Sequence, residues 1–344
     1  MITKISTLSI LAFITCITFV FGQGIDESNY SKRMHTVKDM NSSEIERFIS
    51  LMEEAVKNDP DNIDYSYEIA FALYVDKKYE SAIKVLEPLS RRTKTSDNVF
   101  QLLGICYNLN GERLKAIATL DKGLKIFPKS GTLHLERGYL ELLSKNKEQA
   151  LNTFTKGTRV SPKFPENYYW AAKLYCDSQD EAWGIIYGEI YMSLKQEGKR
   201  TDEISKLLFD TYKSEIQLNS GTPNLSFCKE DPSSGNSSTP FCKVYETTLL
   251  EAIGSEKNID LNSLSTIRKN FLSSYIENGH DKTYPNVIFR YQDKVSKAGH
   301  MEAYNYWLLK EGDKAGFEKW NAANKDKWNA FLKWFDSNSI RAIM

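Results

Sequence analysis

Small residues recur at an interval of 34 along the first half of this chain, and no other feature limits the fold as strongly. Ala82, Ala116 and Ala150 lie 34 apart, as do Ala70, Gly104, Gly138 and Ala172, and as do Pro128 and Pro162. Larger apolar residues keep the same interval at Leu86, Leu120 and Phe154, and a further series runs Ala55, Leu89, Gly123 and Gly157. A fixed period of this length marks a stacked array of supersecondary units, each too thin to bury its own apolar face. Two antiparallel helices touch only where the facing side chains are small, so Gly104 opposite Ala116 reads as such a contact, with larger residues filling the space around it. Proline at the end of a second helix cannot continue the hydrogen-bond ladder and so starts the next unit.

These positions resemble the tetratricopeptide repeat. The second unit carries the pattern as Phe100, Leu103-Gly104, Tyr107, Ala116, Leu120, Gly123 and Pro128, and the third as His134, Gly138, Ala150, Phe154, Gly157 and Pro162. The first has Ile69-Ala70, Leu73, Tyr79, Ala82, Leu86 and Leu89; a more divergent fourth has Tyr168, Ala171-Ala172, Tyr175 and Gly184. Before them, residues 42–62 read as an orphan second helix with Ala55 and Pro60 in register. The resemblance implies an all-α fold: a tetratricopeptide α-solenoid of about 3.5 to 4 repeats over residues 44–198, followed by a mostly helical C-terminal domain over 199–344. In "KQEGKRTDE" the register is lost, and beyond residue 200 no unit aligns with the repeats. Helices are expected there over 202–217, 243–254, 261–278, 285–298, 300–310 and 313–336, with an irregular loop at 219–241. The C-terminal part is similar to that of exported tetratricopeptide proteins of the Bacteroidetes.

The amino terminus has its own character. Lys4 is the only charge before Asp26, and residues 5–21 form an uncharged, largely apolar run, with a few Ser and Thr, before Gly22. This is the pattern of a secretory signal peptide over residues 1–22, cleaved to leave Gln23 at the head of an extension over 23–43. An uncleaved anchor, or lipidation at Cys16, is the alternative. With the signal removed, no stretch is long enough to span a membrane, and the protein is expected to be exported to the periplasm or beyond a bacterial envelope. An oxidising compartment permits disulfides, and Cys228 and Cys242 flank a Ser-, Pro- and Gly-rich loop that a crosslink would restrain; two free thiols are the alternative.

Balanced charge, 45 basic against 45 acidic residues, gives no pull towards nucleic acid. No catalytic, cofactor or metal motif stands out: His280-Asp281 and His300-x-Glu302 are the only clustered groups of that kind among four histidines. His134 takes a slot filled by Phe100 and Tyr168 in neighbouring units, which makes it a packing residue, and Cys106 and Cys176 read as small apolar fillers. Phe317, Trp320, Trp328, Phe331 and Phe335 form a stripe at helical spacing that reads as core.

In tetratricopeptide arrays the first helices of successive hairpins line a concave face that binds extended peptides. The resemblance places Tyr67, Phe71 and Tyr74 there, then Gln101, Ile105 and Asn108, then Leu135, Tyr139 and Leu142, and lastly Tyr169, Lys173 and Cys176. The Lys and Asn carboxylate clamp known in the family is replaced by Tyr67 with Phe71 and Gln101 with Ile105, which disfavours a chaperone-tail adaptor. An aromatic trough suits protein or peptide recognition, unless the rings pack against the chain's own C-terminal half. The expected function is therefore a non-enzymatic, exported scaffold for a protein or peptide partner, of unspecified oligomeric state. An enzyme with its site in the C-terminal domain and a structural subunit of an envelope complex are the alternatives.

Overall fold

A computed structural model describes residues 36–218, 223–228, 230–231, 236–237 and 240–344. The expected signal peptide, most of the extension that follows it and much of the 219–241 loop lie outside the described residues. The described residues are all-α but for two minimal strand pairs, and the chain divides into two compact units after Leu120.

The first unit is built from α1 (Ser42–Asn58), α2 (Ile63–Val75), α3 (Tyr79–Leu89), α4 (Asp97–Leu109) and the beginning of α5 (Arg113–Ile126). Asn41 caps α1 in a reciprocal capping box with Glu44, which satisfies two of the amides that a helix start leaves unpaired. The apolar stripe of α1, Ile45, Phe48 and Met52, closes with Val37 on Ile69 and Ala72 of α2, so α1 covers the open face of the first hairpin as a second helix without a first.

The second unit continues with α6 (Gly131–Leu143), α7 (Lys147–Val160), α8 (Glu166–Cys176), α9 (Glu181–Leu194) and α10 (Lys199–Glu215). In the α6–α7 hairpin a side chain at Gly138 would begin 2.5 Å from the Phe154 ring, closer than atoms can pack. The alternation of small and large residues at the 34-residue interval is thus a steric lock between paired helices.

Three of the four hairpin turns, all but that between α8 and α9, are closed by one residue with positive φ: Lys77 at 60°, Gly111 at 83° and Lys145 at 62°. They too are 34 apart, and each is followed by the same closing bond: Lys78 N–H to Leu73 O, 2.8 Å, Glu112 N–H to Tyr107 O, 2.8 Å, and Asn146 N–H to Glu141 O, 2.9 Å. This left-handed helix end favours glycine because a side chain there crowds the backbone, yet two of the three turns carry lysine.

The repeat does not stop where its small residues do. α10 packs beside α8 as α8 packs beside α6, and its contacts keep the interval: Arg200 pairs with Glu166, and Glu203 accepts from the Tyr169 hydroxyl at 2.6 Å. The loss of register expected near residue 200 is therefore a loss of the apolar signature only; α10 is a fifth first helix. After it come β1 (Ile216–Gln217) and β2 (Asn224–Leu225), paired antiparallel, and β3 (Glu230–Asp231) with β4 (Asn236–Ser237), so the stretch expected to be an irregular loop holds three of these short strands.

The remaining helices are α11 (Pro240–Ile253), α12 (Leu261–Glu277), α13 (His280–Thr283), α14 (Val287–Lys297), α15 (Met301–Leu309), α16 (Lys314–Ala323) and α17 (Lys325–Ser337), with a 3-10 turn at Ile340–Ala342. The single helix expected over 313–336 is two, broken at Asn324, whose side-chain amide donates to Trp320 O at 2.9 Å. Trp320, Phe331 and Phe335 are buried, and Phe317 and Trp328 pack against them. One continuous hydrophobic core runs from Tyr168 to Ile340, so it joins residues on both sides of position 198, and the repeating arrangement itself extends through α10.

Within that core lies a polar cluster. The Arg268 guanidinium donates twice to Glu189, at 2.8 Å to each oxygen, and once each to Asn305 Oδ1 and the Tyr212 hydroxyl, both at 2.8 Å. Gln292 and the Tyr304 hydroxyl add bonds to Glu189 of 2.7 and 2.9 Å. The cluster borders a cavity of about 10 Å³, room for about one water. Burial alone would pull the Arg268 proton off, but the Glu189 charge more than reverses that and holds its pKa above the ordinary value.

Two outcomes follow. Lys145→Gly relieves the left-handed strain and raises stability by about 0.5–1 kcal/mol in urea denaturation. Arg268→Met leaves a buried carboxylate without its counter-charge and costs about 3–5 kcal/mol, whereas adding Glu189→Met costs less than the single change, because no charge is then stranded.

Candidate functional site

The residues placed on first-helix faces fall in both units and meet different fates. In the first unit Tyr67, Phe71 and Tyr74 lie on α2, and Gln101, Ile105 and Asn108 on α4; all six are half-buried. The two helices are neighbours. Phe71 and Tyr74 hold their rings 6.0 Å apart, with Tyr79 6.2 Å beyond. Phe71 is partly claimed from the other side, packing on the Val37, Ile45 and Phe48 cluster with the Lys38 ammonium 6.0 Å from its ring.

In the second unit Leu135 packs on the Ala150, Phe154 and Ala171 cluster, whereas Tyr139 keeps 40% of its surface open. The Tyr139 ring stands 6.1 Å from Trp170, and Trp170 is itself held flat, stacked on Phe154 at 6.0 Å. Tyr139 is thus an exposed ring braced from behind.

Tyr169 departs from the expected role. It is 4% exposed, and its hydroxyl donates to Glu203 of α10 while the Arg200 guanidinium lies 4.8 Å over its ring. Lys173 reaches the same carboxylate at 2.5 Å and stands 5.6 Å from the Trp170 ring. Burial pushes the Tyr169 hydroxyl up, and the bond to Glu203 adds to it. For Lys173 burial works downward, but the Glu203 bond and the Tyr169 hydroxyl outweigh it and leave its pKa raised. The fifth first helix therefore occupies the face that Tyr169 would have offered, for the plain reason that one more helix stacks there.

The open ledge of this unit is Tyr139 with Trp170, bordered by the Lys173–Glu203 pair, whose side chains are 35% and 45% exposed. Trp170, Arg200 and Glu203 were not among the expected residues. The signal that could have found two of them is the interval itself, since Arg200 and Glu203 stand 34 beyond Glu166 and Tyr169.

Elsewhere, Cys228 and Cys242 are joined in a disulfide with α-carbons 5.8 Å apart. Cys106 and Cys176 are free, and burial pushes each thiol up to about 12, far from the thiolate that reactivity needs. His134 is 3% exposed, with Nε2 3.4 Å from Pro128 O; burial lowers its pKa. His280 lies 5.6 Å from the Tyr275 ring and His300 5.4 Å from Trp334. Glu302 is taken up by Trp320 Nε1 at 2.8 Å and Lys327 at 2.9 Å. The two histidines thus pack on rings of different helices, and the described residues gather no group of three or more His, Cys, Asp or Glu side chains fit to hold a metal ion.

No protein-family model matches the sequence, and no curated protein does. Among solved structures the chain is similar to TTC0263, a thermophilic tetratricopeptide protein of Thermus thermophilus, at 17% identity and a TM-score of 0.41 over 53% of this chain and 99% of that one. It is similar also to MamA, at 16% identity and a TM-score of 0.37 over 43% of this chain and 86% of that one. At such scores the hairpin assignment rests on the helices and turns described above.

The disulfide closes a loop of sequence separation 14. Converting Cys228 and Cys242 together to Ser lowers stability by about 3 kcal/mol in the chain-entropy estimate, a loss to be read from urea denaturation of the variant beside the oxidised protein.

Proposed function

We propose that this chain is an exported, non-enzymatic scaffold that holds a protein or extended peptide on the first-helix faces of its hairpins. The observation that supports the reading best is Tyr139: a ring 40% exposed, braced by Trp170, at a position where a core would have hidden it. A large rigid ring offered at little entropic cost is the kind of anchor that dominates protein interfaces. The half-buried row from Tyr67 to Asn108 in the first unit offers a second face of the same chemistry.

Export is supported by the apolar amino-terminal run of residues 5–21 and by a disulfide, a bond that persists in oxidising compartments. Among the described residues no helix is long and apolar enough to cross a membrane. A periplasmic or secreted location is the reading these features favour.

The test is affinity capture from the native envelope fraction, with partners identified by mass spectrometry and then re-measured as purified pairs. Tyr139→Ala weakens the pair on the order of tenfold or more, as loss of an aromatic anchor does, with unchanged helical content by circular dichroism. Leu114→Ala, an 84% exposed residue on a second helix, leaves affinity as it was. Partners captured equally by the wild type, Tyr139→Ala and Ile105→Asp would overturn the reading.

A further inference from the structure

The balanced charge of the whole chain is unevenly spread. Where α5 and α7 end, basic residues repeat at the 34-residue interval: Lys122 with Lys156, Lys125 with Arg159, and Lys129 with Lys163. All six lie in the second unit, and all six are exposed. No acidic residue stands between 122 and 135 or between 149 and 165, and two of the acids that flank these stretches are engaged elsewhere, Asp121 with Arg137 at 2.8 Å and Glu166 with Arg200. Packing sets the two halves of the cluster side by side. A side chain at Gly131 would begin 2.8 Å from the Phe164 ring and 2.9 Å from Ser161 Oγ, so the turn carrying Lys129 lies against the turn carrying Lys163. His134, whose Nε2 is 3.4 Å from Pro128 O, is near enough to Lys156 to feel its charge. Arg341 donates from Nη1 to Lys163 O at 2.9 Å and adds a seventh cation; Glu197 and Asp336 line the groove on its other side and end the cluster. One cation in the last turn answers a helix dipole, and Lys125 and Arg159 serve that purpose. The other four exceed it, and their mutual repulsion is a cost that an anionic surface would remove.

We propose that this basic face is a docking surface for the anionic headgroups of a lipid bilayer, on which the folded chain rests as a peripheral protein. Five of the six residues are lysine. Lysine is a compact, strongly hydrated point charge that suits a fluid sheet of headgroups, whereas the planar fork of arginine suits carboxylates held at fixed positions on a protein. The composition therefore favours a bilayer over an acidic protein surface. Ile126, 49% exposed, stands one helical turn on from Lys122 and so on its face; it is an apolar tip that a membrane surface can take in below its headgroups. Each basic side chain held near an anionic membrane strengthens binding about fivefold, and the attraction fades within a Debye length, so a cluster of this size binds without an inserted helix. The cluster belongs to second helices and the turns after them, and the Tyr139 ledge to first helices, so the inference stands whatever that ledge binds.

The experiment is co-sedimentation of the protein, purified from its native host, with vesicles of phosphatidylcholine carrying roughly 30% phosphatidylglycerol, beside vesicles of phosphatidylcholine alone. At about 0.1 M salt the wild type binds the anionic vesicles on the order of a hundredfold or more tighter than the neutral ones, and at about 1 M salt it loses that preference. Lys122→Gln, Lys129→Gln, Lys156→Gln and Lys163→Gln together, which keep the last-turn cation of each helix, weaken anionic binding on the order of a hundredfold with helical content unchanged. The same loss of charge scattered over the exposed Lys57, Lys257, Lys319 and Lys325 leaves most of the binding in place. Ile126→Ser weakens it several-fold with no change of charge. Equal binding to the two kinds of vesicle, a clustered variant that binds as the wild type does, or a scattered variant that loses as much as the clustered one overturns the proposal. So does a protein that ignores vesicles but binds soluble polyglutamate through these same four lysines, since its partner is then an acidic polypeptide.

Discussion

The bidentate pair between Glu189 and Arg268 is the interaction on which the second unit depends. α9 is the last second helix of the repeats, and from Glu181 to Leu194 nearly every residue is buried, so the helix must be enclosed. Apolar residues alone would enclose it in many ways, because burial rewards area and not orientation. Charge-assisted hydrogen bonds are directional: Arg268 Nη2 donates to both Glu189 oxygens, and each partner is also claimed by others: Tyr212 from α10, Gln292 from α14, Tyr304 and Asn305 from α15. Five helices are thereby set in one arrangement by a cluster that would be costly to break on one side only. The terminal face of the repeats is closed by chemistry that selects a register, with the surrounding aromatic packing filling the space around it.

What the sequence made legible follows from what each constraint leaves behind in it. Helix pairing leaves small residues at fixed spacing, so the contact of Gly138 with Phe154 is legible from the interval alone. Turn geometry leaves glycine at Gly111, but the same left-handed turn at Lys77 and Lys145 leaves nothing, since lysine carries no mark of positive φ. α10 escaped for a related reason: Lys206 stands 34 beyond Ala172, where the preceding units carry a small residue, and the contacts that keep the interval are an ion pair and a hydroxyl–carboxylate bond, which have no periodic apolar signature. The break at Asn324 hides because aromatic spacing continues across it. The Glu189 cluster could not be seen at all, its members being separated by 79 to 115 residues in the bonds that join Glu189 to Arg268, Gln292 and Tyr304.

The same reasoning explains why some first-helix positions offer a surface and others do not. Tyr139 and Tyr169 occupy different repeat slots on neighbouring first helices, yet one ring is open and the other is covered. Tyr169 precedes a helix that brings an arginine over its ring and a carboxylate to its hydroxyl. Tyr139 faces Trp170, a residue already committed to stacking on Phe154, so the contact braces the tyrosine without enclosing it. A family resemblance can assign a slot; whether the slot is available depends on what the next helix carries, and that is a matter of single residues.

Aromatic content by itself says little about binding in this chain. Of its 19 tyrosines, Tyr191, Tyr275, Tyr291 and Tyr304 are among the largest fully buried side chains, and they are there because a buried ring fills volume while its hydroxyl finds a partner: Tyr275 donates to Tyr284 O and Tyr291 to Asn338 O, both at 2.8 Å. These rings serve the core and leave no face to offer. Tyr139 is informative because it is not needed in this way. A ring that the core could dispense with, kept 40% exposed at a hydrophobic cost and braced on Trp170, would gain its full burial only if a second molecule supplied the other side, which is the binding proposed above.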